Sequence, residues 1–434
     1  MQRTHTRLVP ILGVLSLGVL AACGTSNNTT NNTSSNTGGG GGLASCSGSV
    51  TVASDLPVSG SDASDGKPTQ NGAQLAVTQA TNSKLLGGCT IKFVAKDDAS
   101  VALGKHDPQQ GAQNITELAG DASVLGVVGP FNSNVALAEL PISNKANLVE
   151  ISPSNTNPGL TIVGSNPDIN TASLKPTGNT TYFRVCTTDI GQGKADAQEA
   201  AQTLGAKKAY VFDDQETYGK GLADQFSKFF QADGGTIAKR TSLPGDTKDF
   251  STQLTDAKNL GVDVIFFGGT SSNGGGIIKK QMAAAGLSSV KYVGGDGIVD
   301  QEFFTEAGTS GAEGAYGSVA APDPTKLDSA KQFVTDYTAA FGAAPGAYSA
   351  NAYDAMNILL QAVKKAITDN NGTLPTSGST FRESVRKNVA ASAWDGAIGH
   401  TTFDANGDTS NVLLTIFQAQ GGKWVYSSTV KISS

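Results

Sequence analysis

The sequence predicts an α/β fold with two doubly wound lobes, each built on a parallel sheet, joined by a multi-stranded hinge. From Val50 onward, short apolar runs alternate with longer helical stretches, which is typical of parallel sheets with helical crossovers. Roughly 390 residues follow Cys46, enough for two lobes. Glycine is abundant and aromatic residues are few, which fits a chain with many tight strand–helix turns.

The individual elements follow from this alternation. Strands are predicted where apolar residues run together, at 50–53, 91–95, 124–128, 148–151, 182–186, 209–212, 262–267 and 291–293. Helices are predicted at 70–81, 109–119, 135–146, 219–231, 275–284, 327–341 and 348–369. Residues 162–180 are polar and broken by Pro and Gly, which predicts a surface loop. Apolar runs on both sides of Gly421-Gly422 predict a terminal β-hairpin.

Two polar turns that follow buried strands carry the strongest functional signal. Residues 129–133 follow the strand 124–128, and residues 152–158 follow the strand 148–151. In a parallel sheet such turns lie side by side at the carboxyl ends of the strands, where ligands bind. Their hydroxyls and free backbone N–H groups near a helix start suit a carboxylate. The pattern predicts a site for a small molecule.

The amino terminus has the features of an export signal. Arg3 and Arg7 precede the apolar run 8–20, which is too short to span a bilayer comfortably, and small residues lead to Cys23. The sequence Leu20-Ala21-Ala22-Cys23 resembles the lipobox of bacterial lipoproteins, in which the cysteine is acylated. An ordinary cleavage site before a cysteine is the alternative. We expect residues 1–22 to be a signal peptide.

The residues after Cys23 predict a tether. Residues 25–42 contain only Thr, Ser, Asn and Gly, which cannot bury a core, so 23–45 is expected to be a lipid-anchored flexible linker. The protein is then exported and held on the outer face of the cytoplasmic membrane. Removal of residues 1–22 takes away two arginines and no acid, and the net charge changes from −6 to −8. This acidic balance argues against nucleic acid as a partner.

The cysteines support export. Cys46 and Cys89 each stand just before a predicted strand. If these strands are parallel neighbours, their starts are adjacent and a disulfide is within reach. We therefore predict a Cys46–Cys89 bridge, and we expect Cys186, in an apolar strand, to be a free buried thiol.

The order and spacing of several motifs resemble the type I periplasmic binding proteins of ABC importers, in particular the branched-chain amino acid (Leu/Ile/Val)-binding family in its lipoprotein form. The resemblance runs from Val50 to Val430. Its motifs are 57–60 before 70–76, Asp97-Asp98 before Asp107-Pro108, 152–161, Phe183-Arg184 with Asp189 and Gln192-Gly193, 218–221, 248–250 and 294–297. It implies a periplasmic binding protein-like I fold, with lobe 1 at 46–183 and 320–400 and lobe 2 at 184–319 and 401–434.

The resemblance also implies contacts for the head group of an amino acid. Ser133 and Thr156 match the hydroxyls that hold the α-carboxylate, and the backbone of Ser154 and Thr156 lies near both charged groups. Asn155, in the same turn, is included in the predicted site. Asp296 matches the acid that pairs with the α-ammonium, although relatives often have Glu there. The alternatives are a helix cap for Ser133 and turn roles for Thr156 and Asp296.

The resemblance also implies residues around the side chain of the ligand, which would determine the ligand that is preferred. Phe131 stands where an apolar residue lines the side-chain pocket, and Tyr218 matches an aromatic residue that covers the ligand, with a packed core aromatic as the alternative. Thr270 and Ser271 stand where some amino-acid binders carry tyrosines. Asp65 also stands near a tyrosine position, although a solvated loop acid is the simpler interpretation. These departures weaken the expected branched-chain preference but keep the amino-acid head group.

The sequence favours a binding protein over an enzyme. Of the three histidines, His106 and His400 follow the signal, and neither has a metal-ligand spacing. Nucleophile-elbow and phosphate-loop motifs are missing. We therefore expect no catalytic group, metal or cofactor, and a monomer whose partners are a small ligand, ABC permease and ATPase subunits and the membrane, through the lipid anchor. The alternatives are a binder of a short amide, urea or small carboxylate, and a sensor lipoprotein that reports to a signalling partner.

Overall fold

The computed structural model describes residues 43–432. The predicted signal peptide, Cys23 and the linker up to residue 42 lie outside the described residues. The amino-terminal part forms, in order, β1 (Ser49–Leu56), α1 (Ala63–Asn82), β2 (Thr90–Asp97), β3 (Ala99–Ser100), β4 (Lys105–His106), α2 (Pro108–Gly120), β5 (Val124–Val128), α3 (Ser133–Lys145), β6 (Val149–Ser152), α4 (Thr171–Leu174) and β7 (Tyr182–Arg184).

The remaining elements continue the alternation and end in a hairpin. They are α5 (Asp189–Gln198), β8 (Lys208–Asp213), α6 (Thr217–Ala232), β9 (Thr236–Ser242), α7 (Ser251–Leu260), β10 (Val264–Gly268), α8 (Gly275–Ala284), β11 (Lys291–Gly294), α9 (Gln301–Ala307), α10 (Thr309–Ala312), β12 (Ala315–Val319), α11 (Lys331–Phe341), α12 (Ser349–Asp369), α13 (Gly378–Ala390), β13 (Ala393–Gly396), β14 (Gly399–Thr402), β15 (Leu413–Gln420) and β16 (Lys423–Lys431).

Two main sheets define two lobes. The first has five parallel strands in the order β2-β1-β5-β6-β7. The second has seven, in the order β16-β15-β12-β11-β10-β8-β9; its strands from β12 to β9 are parallel, whereas β15 and β16 add an antiparallel hairpin. The predicted α/β class with parallel sheets is confirmed, and the terminal hairpin is present.

The chain passes between the lobes three times. It leaves the first sheet after β7, returns after β12, where α12 and α13 pack on β5 and β6, and leaves again before β15. The segment before this last passage still contacts the first lobe. The Phe403 ring lies 5.1 Å from that of Phe183, and Asp408 Oδ1 lies 2.6 Å from Arg184 Nε. These contacts keep residues 403–408 with the first lobe, whereas the resemblance implies a boundary at 400/401.

Close packing of α12 against the first sheet builds the core of this lobe. Met356 and Leu359 of α12 have no exposed surface, and Gly126 of β5 lies against Leu359. A Cβ on Gly126 would stand 2.5 Å from Leu359 Cδ1, so the glycine lets the helix approach the strand. Each fully buried side chain of this size contributes about 2–3 kcal/mol through the hydrophobic effect.

Helix α1 begins earlier than the sequence indicates. The helix is predicted from Gln70, but it extends back to Ala63 and includes Gly66 and Pro68, two residue types that disfavour helix interiors. Gly66 has a packing role there, since a Cβ would stand 1.9 Å from Pro57 O. The first turn of α1 therefore lies against the loop after β1, at the carboxyl edge of the first sheet.

Other elements escaped prediction because their apolar signal is weak. Strand β9 is an edge strand with no fully buried residue, and the sequence of α13 is polar, with only four buried positions. The predicted loop 162–180 contains the short helix α4. The unpredicted elements are α4, α5, α7, α9, α10, α13, β3, β4, β9, β12, β13 and β14.

Cys46 and Cys89 lie at the opposite edge of the first sheet from the polar turns. Strands β1 and β2 are parallel with Ser49 opposite Thr90, so their starts are adjacent. A disulfide joins Cys46 to Cys89 with a Cα–Cα distance of 5.1 Å, and Cys186 is free and buried. Among the described helices, none combines the length and the apolar character needed to cross a membrane.

Candidate ligand-binding site

The two polar turns predicted from the sequence lie side by side. Strands β5 and β6 are parallel neighbours with Val128 opposite Ile151, so both turns begin at one edge of the sheet. Ser152 Oγ at the end of β6 donates a hydrogen bond to Pro130 O at 2.7 Å and ties the turns together. The sheet thus gathers the predicted hydroxyl groups at the carboxyl ends of its strands.

Side chains of the second turn hold the turn itself. Ser154 Oγ donates to Phe131 O at 2.9 Å, and Asn155 Nδ2 donates to the same carbonyl. Asn155 Oδ1 accepts a hydrogen bond from the Tyr182 hydroxyl at 2.8 Å. Both predicted contact residues therefore have their side chains engaged by the protein, and what they offer to a ligand is their backbone.

Arg184 fixes the backbone of this turn from below. Its side chain has no exposed surface, and Nη1 donates to the carbonyls of Asn155 at 3.0 Å and Asn157 at 2.9 Å. Its charge is balanced by Asp408, 2.6 Å from Nε. A buried guanidinium with fixed donors and a carboxylate partner holds the turn in one conformation.

Two hydroxyls are available for an anionic group. Ser133 is the first residue of α3 and is 2% exposed. Thr156 is 1% exposed, and its Oγ1 makes no well-formed hydrogen bond among the described residues, although the buried Asp189 carboxyl is close enough to interact with it. A buried hydroxyl without a partner is costly, by about 1–3 kcal/mol, unless something binds it. Thr156 Oγ1 is therefore a strong candidate contact for a ligand oxygen.

Asp296 supplies the opposite charge from the second lobe. It follows β11 in a single 3-10 turn and is 8% exposed. Oδ1 accepts hydrogen bonds from Gln192 Nε2 at 2.6 Å and the Tyr218 hydroxyl at 2.8 Å, and Oδ2 accepts one from the Tyr348 hydroxyl at 2.9 Å. Burial raises the pKa of Asp296, while these three donors oppose the rise.

Tyr348 was not predicted from the sequence. It stands just before α12 in the first lobe, and its ring packs edge-on against Phe131 with 5.7 Å between centroids. Its hydroxyl reaches Asp296 of the second lobe, so this contact bridges the lobes. Phe131 is half-buried, as expected of a residue that lines a pocket. Gln192 was visible only as part of the motif near Asp189, and no local pattern indicated Tyr348.

The loop that holds Thr156 also touches the second lobe near Tyr218. Asn157 Nδ2 donates to Thr217 O at 2.7 Å, and Asp189 N donates to Thr156 O at 2.8 Å. Tyr218 follows Thr217 in the first turn of α6. The predicted hydroxyl, the covering aromatic residue and the predicted acid are therefore brought into one region between the lobes.

A second bridge between the lobes centres on His106. Its Nδ1 lies 2.6 Å from Asp62 Oδ2, and its Nε2 lies 2.8 Å from Glu216 Oε2 of the second lobe. Lys105 pairs with Glu216 and with Asn273. Burial disfavours a charged imidazole, but the two carboxylates outweigh it and raise the pKa of His106 to about 10. The imidazolium and the Lys105 ammonium therefore balance both acids.

Asp65 and Thr270 are two further residues that the sequence considered for the pocket. Asp65 lies in the first turn of α1 and is half-buried. Burial, together with the charges of Asp300, Asp62 and Asp296, raises its pKa well above the ordinary value. Thr270 is half-buried, and its hydroxyl shares a 2.8 Å hydrogen bond with Ser272. The sequence suggested a solvated loop acid at position 65, whereas the residue lies in a helix and is only partly exposed.

Comparison with known proteins finds relatives that are similar to this chain over most of its length. The Leu/Ile/Val-binding protein BraC3 of Rhizobium johnstonii is 28% identical over 382 residues, which cover 87% of this chain and 93% of that protein. The leucine-binding protein LivK of Thermotoga maritima superposes with a TM-score of 0.74 at 26% identity, over 88% of this chain and 99% of the other.

A third relative was solved with a ligand. The branched-chain amino acid transporter substrate-binding protein LivJ of Streptococcus pneumoniae, in complex with isoleucine, gives a TM-score of 0.74 at 27% identity, over 88% of this chain and 100% of the other. Residues 49–423 match the family described as periplasmic binding protein, which covers both lobes and the site between them. The chain belongs to the periplasmic binding protein family, whose members bind solutes.

Proposed function

We propose that this chain is the substrate-binding protein of an ABC importer and captures an amino acid, or a closely related small molecule, between its two lobes. The observation that carries the proposal is a pair of complementary groups. The first lobe offers the buried, unpartnered Thr156 hydroxyl, and the second offers the Asp296 carboxylate. A zwitterion supplies a carboxylate for the hydroxyl side and an ammonium for Asp296.

The relatives support this choice of ligand. Their names state that they bind Leu, Ile or Val, and one was solved with isoleucine. The head group of these ligands is common to all α-amino acids. We therefore assign the α-carboxylate to Ser133, Thr156 and the backbone of the second turn, and the α-ammonium to Asp296. Phe131 and Tyr218 enclose the ligand between them.

Capture proceeds by hinge closure. Three chain segments connect the lobes, and closing them around a ligand is the mechanism for which periplasmic binding proteins are a standard example. Closure removes water from the cleft, so that contacts to the two charged ends of the ligand gain strength in a medium of lower polarity. Contacts from Tyr348 to Asp296 and from His106 to Glu216 then stabilise the closed form.

We further propose that the protein is exported as a lipoprotein anchored through Cys23 and works as a monomer, without a catalytic role. Two acyl chains give stable anchoring where one is marginal. The anchor keeps the binding lobes close to the permease and ATPase subunits of the importer. Replacing Cys23 by Ser should move the protein to the soluble fraction; a variant that stays with the membranes would contradict the anchor.

Calorimetric titration of the purified soluble domain tests the proposed function. The panel contains L-leucine, L-isoleucine, L-valine, polar and charged amino acids, short amides and small carboxylates. We expect at least one amino acid to bind with a stoichiometry of one. A folded protein that binds no amino acid, or that binds only an amide or a simple carboxylate, refutes the amino-acid assignment.

A further inference from the structure

We infer that Asp408, a residue of the third segment that connects the lobes, is a positioning residue for the carboxylate end of the ligand. It acts through the buried Arg184, which fixes the turn 155–157. The inference rests on the proposed function, because it assumes that this turn holds a carboxylate. It deepens that function, since it makes ligand affinity depend on a hinge residue as well as on the binding turn.

The first step is what Arg184 holds. Its guanidinium donates four hydrogen bonds, and three of them go to the loop that carries Thr156. Nη1 reaches the carbonyl oxygens of Asn155 and Asn157, and Nη2 reaches the Thr161 hydroxyl. Peptide units are planar and trans, so an Asn155 carbonyl that faces the guanidinium turns the N–H of Thr156 the opposite way. Arg184 therefore orients an N–H group that we assign to the ligand carboxylate.

The second step is what holds Arg184. Asp408 Oδ1 lies 2.6 Å from Arg184 Nε, and Asp408 Oδ2 accepts a hydrogen bond from the Thr161 hydroxyl at 3.0 Å. Arg184, Thr161 and Asp408 thus form a closed ring, since Thr161 also accepts from Nη2. Among the described residues, Asp408 is the one carboxylate paired with this guanidinium, whose side chain has no exposed surface. Asp408 both neutralises and orients the group that holds the turn.

The backbone around Asp408 is fixed to the first lobe next to Arg184. Arg184 N donates to Gly407 O at 3.0 Å. Gly407 has a φ of +94°, and a Cβ on it would stand 2.2 Å from Tyr182 O, so glycine permits this close approach. The hinge segment therefore contacts β7 through both its backbone and the side chain of Asp408.

The same segment leads directly into the second lobe. A turn is closed by Asp404, whose Oδ1 accepts hydrogen bonds from Asn406 N at 2.8 Å and Asp408 N at 2.9 Å. Strand β15 of the second sheet begins soon afterwards, at Leu413. Asp408 is thus one of the last residues that the first lobe holds before the chain crosses, and it joins the base of the hinge to the binding turn.

The opposing hypothesis is that the pair of Arg184 and Asp408 only stabilises the first lobe. A buried ion pair often stabilises no more than apolar residues of the same volume. The bonds of this guanidinium, however, go to the carbonyls on either side of Thr156, and apolar residues cannot make them. Without the charge of Asp408 the buried guanidinium is uncompensated and is drawn to other acceptors or to water, which loosens its hold on the turn.

Hydrogen exchange of the folded protein without ligand tests the link between hinge and turn. Asp408→Asn keeps the side-chain shape and removes the charge, so the amides of 154–157 should exchange at least fivefold faster than in the wild type. The amides of the fully buried β10 in the second lobe report general opening and should keep their rates. Unchanged exchange at 154–157, or an equal rise in β10, overturns the inference.

Two further variants support this measurement. Asp404→Asn is the matched control, because it removes an exposed charge from the same turn and keeps an oxygen that accepts from the backbone; exchange at 154–157 should not change. Thr161→Val opens the ring at nearly constant volume and leaves the ion pair in place, so it remains informative if Asp408→Asn does not fold. It should speed exchange at 154–157 at least twofold, and unchanged exchange would contradict the inference.

Calorimetry connects the turn to the ligand carboxylate. The probes are L-leucine and L-leucinamide or, if another amino acid binds more tightly, that amino acid and its carboxamide. The preference for the carboxylate should fall at least fivefold in Asp408→Asn and persist in Asp404→Asn. An unchanged preference, or equal losses for both probes, contradicts the role of Asp408. If the wild type binds no amino acid, the proposed function fails, and hydrogen exchange still shows whether Asp408 positions the turn.

Discussion

Two groups of acidic residues in this protein differ in their surroundings and in how their charge can be neutralised. Asp55, Asp98 and Glu139 have carboxylate oxygens within 4.8 Å of one another inside the first lobe, and Glu150 lies next to them. All four side chains have no exposed surface. The other group, Asp62, Asp296 and Asp300, lies between the lobes, where hydroxyls, an amide and His106 reach it.

The difference lies in what can neutralise each group. For the internal acids, Asn114 donates to Asp55 at 2.9 Å, Ser143 interacts with Glu150, and Glu139 interacts with both Asp55 and Glu150, but none of the four acids forms a salt bridge in the described chain. Burial raises the pKa of Asp55 to about 8 and that of Glu150 to about 7. Protonation is therefore what neutralises the internal acids below their raised pKa values, whereas the acids of the cleft can also be neutralised by a ligand. The comparison teaches that the first group affects stability and the second affects binding.

The largest expected effect is a loss of ligand affinity in the cleft. Asp296→Asn keeps the side-chain shape but removes the charge opposite the α-ammonium. Loss of a charge-assisted partner in a dry site costs about 3 kcal/mol, so amino-acid affinity should fall roughly 100-fold. Calorimetry measures this loss with the tightest-binding amino acid of the panel. An unchanged affinity would mean that the ligand has no ammonium at this position.

The second effect is on stability and depends on pH. Unfolded Asp55 ionises near its ordinary pKa of 3.8, whereas the folded residue keeps its proton up to about pH 8. The folded state binds more protons in this interval, so the free energy of unfolding falls as the pH rises from about 4 to 8. Asp55→Asn should remove part of this fall and stabilise the protein at pH 8 by on the order of 2 kcal/mol.

Urea unfolding at pH 4.5, 6 and 8 measures the effect of Asp55→Asn. The gain over the wild type should be small at pH 4.5 and grow with pH. Asp246→Asn is the control, because this exposed acid is expected to leave the pH profile unchanged. Parallel profiles for Asp55→Asn and the wild type would show that the internal acids are neutralised by something other than protons.

A third, smaller effect separates ligand contacts from turn supports. Thr156→Val removes the unpartnered hydroxyl at nearly constant volume, and affinity should fall about tenfold, which corresponds to ~1.4 kcal/mol. Ser154→Ala removes the hydrogen bond to Phe131 O, so it should lower thermal stability more than affinity. Calorimetry and thermal unfolding of both variants measure these effects; equal affinity losses would place both hydroxyls on the ligand.

The smallest effect concerns closure. Because Glu216 approaches His106 from the other lobe, the closed form holds the imidazole proton more tightly. The folded pKa is raised above 6.5, so this contribution is fully present below pH 6.5 and is lost as the pH rises towards about 10. Wild-type affinity should thus fall severalfold between pH 7 and 9.5, and the fall should be smaller in Glu216→Gln. Identical pH profiles would show that this contact plays no part in closure.

The sequence predicts much of the fold because its signals are local. The apolar runs that form β5 and β10 are buried along their whole length, and glycines and polar residues mark the turns after them. The disulfide follows from the same reasoning, since parallel neighbours start together. Elements with mixed burial, such as β9 and α13, give no comparable signal and were missed.

The contacts among the buried acids could not be predicted from the sequence. Asp55, Glu139 and Glu150 stand on three different elements, and each resembles an ordinary polar residue in its local pattern. His106 lacks a metal-ligand spacing, but its carboxylate partners are 44 and 110 residues away in the sequence. Tyr348 reaches Asp296 across 52 residues. Tertiary packing brings these groups together, and because they are far apart in the sequence, no short motif predicts their contacts.

The comparison between the two groups of acids is tested most directly by thermal unfolding with and without ligand, at pH 7, of the wild type, Asp55→Asn and Asp296→Asn. A ligand that binds only the folded state raises the melting temperature according to its affinity. With the tightest-binding amino acid of the panel, Asp55→Asn should show the same ligand-induced rise as the wild type, and Asp296→Asn should show little or none. A full rise in Asp296→Asn, or a lost rise in Asp55→Asn, would contradict the division between binding and stability.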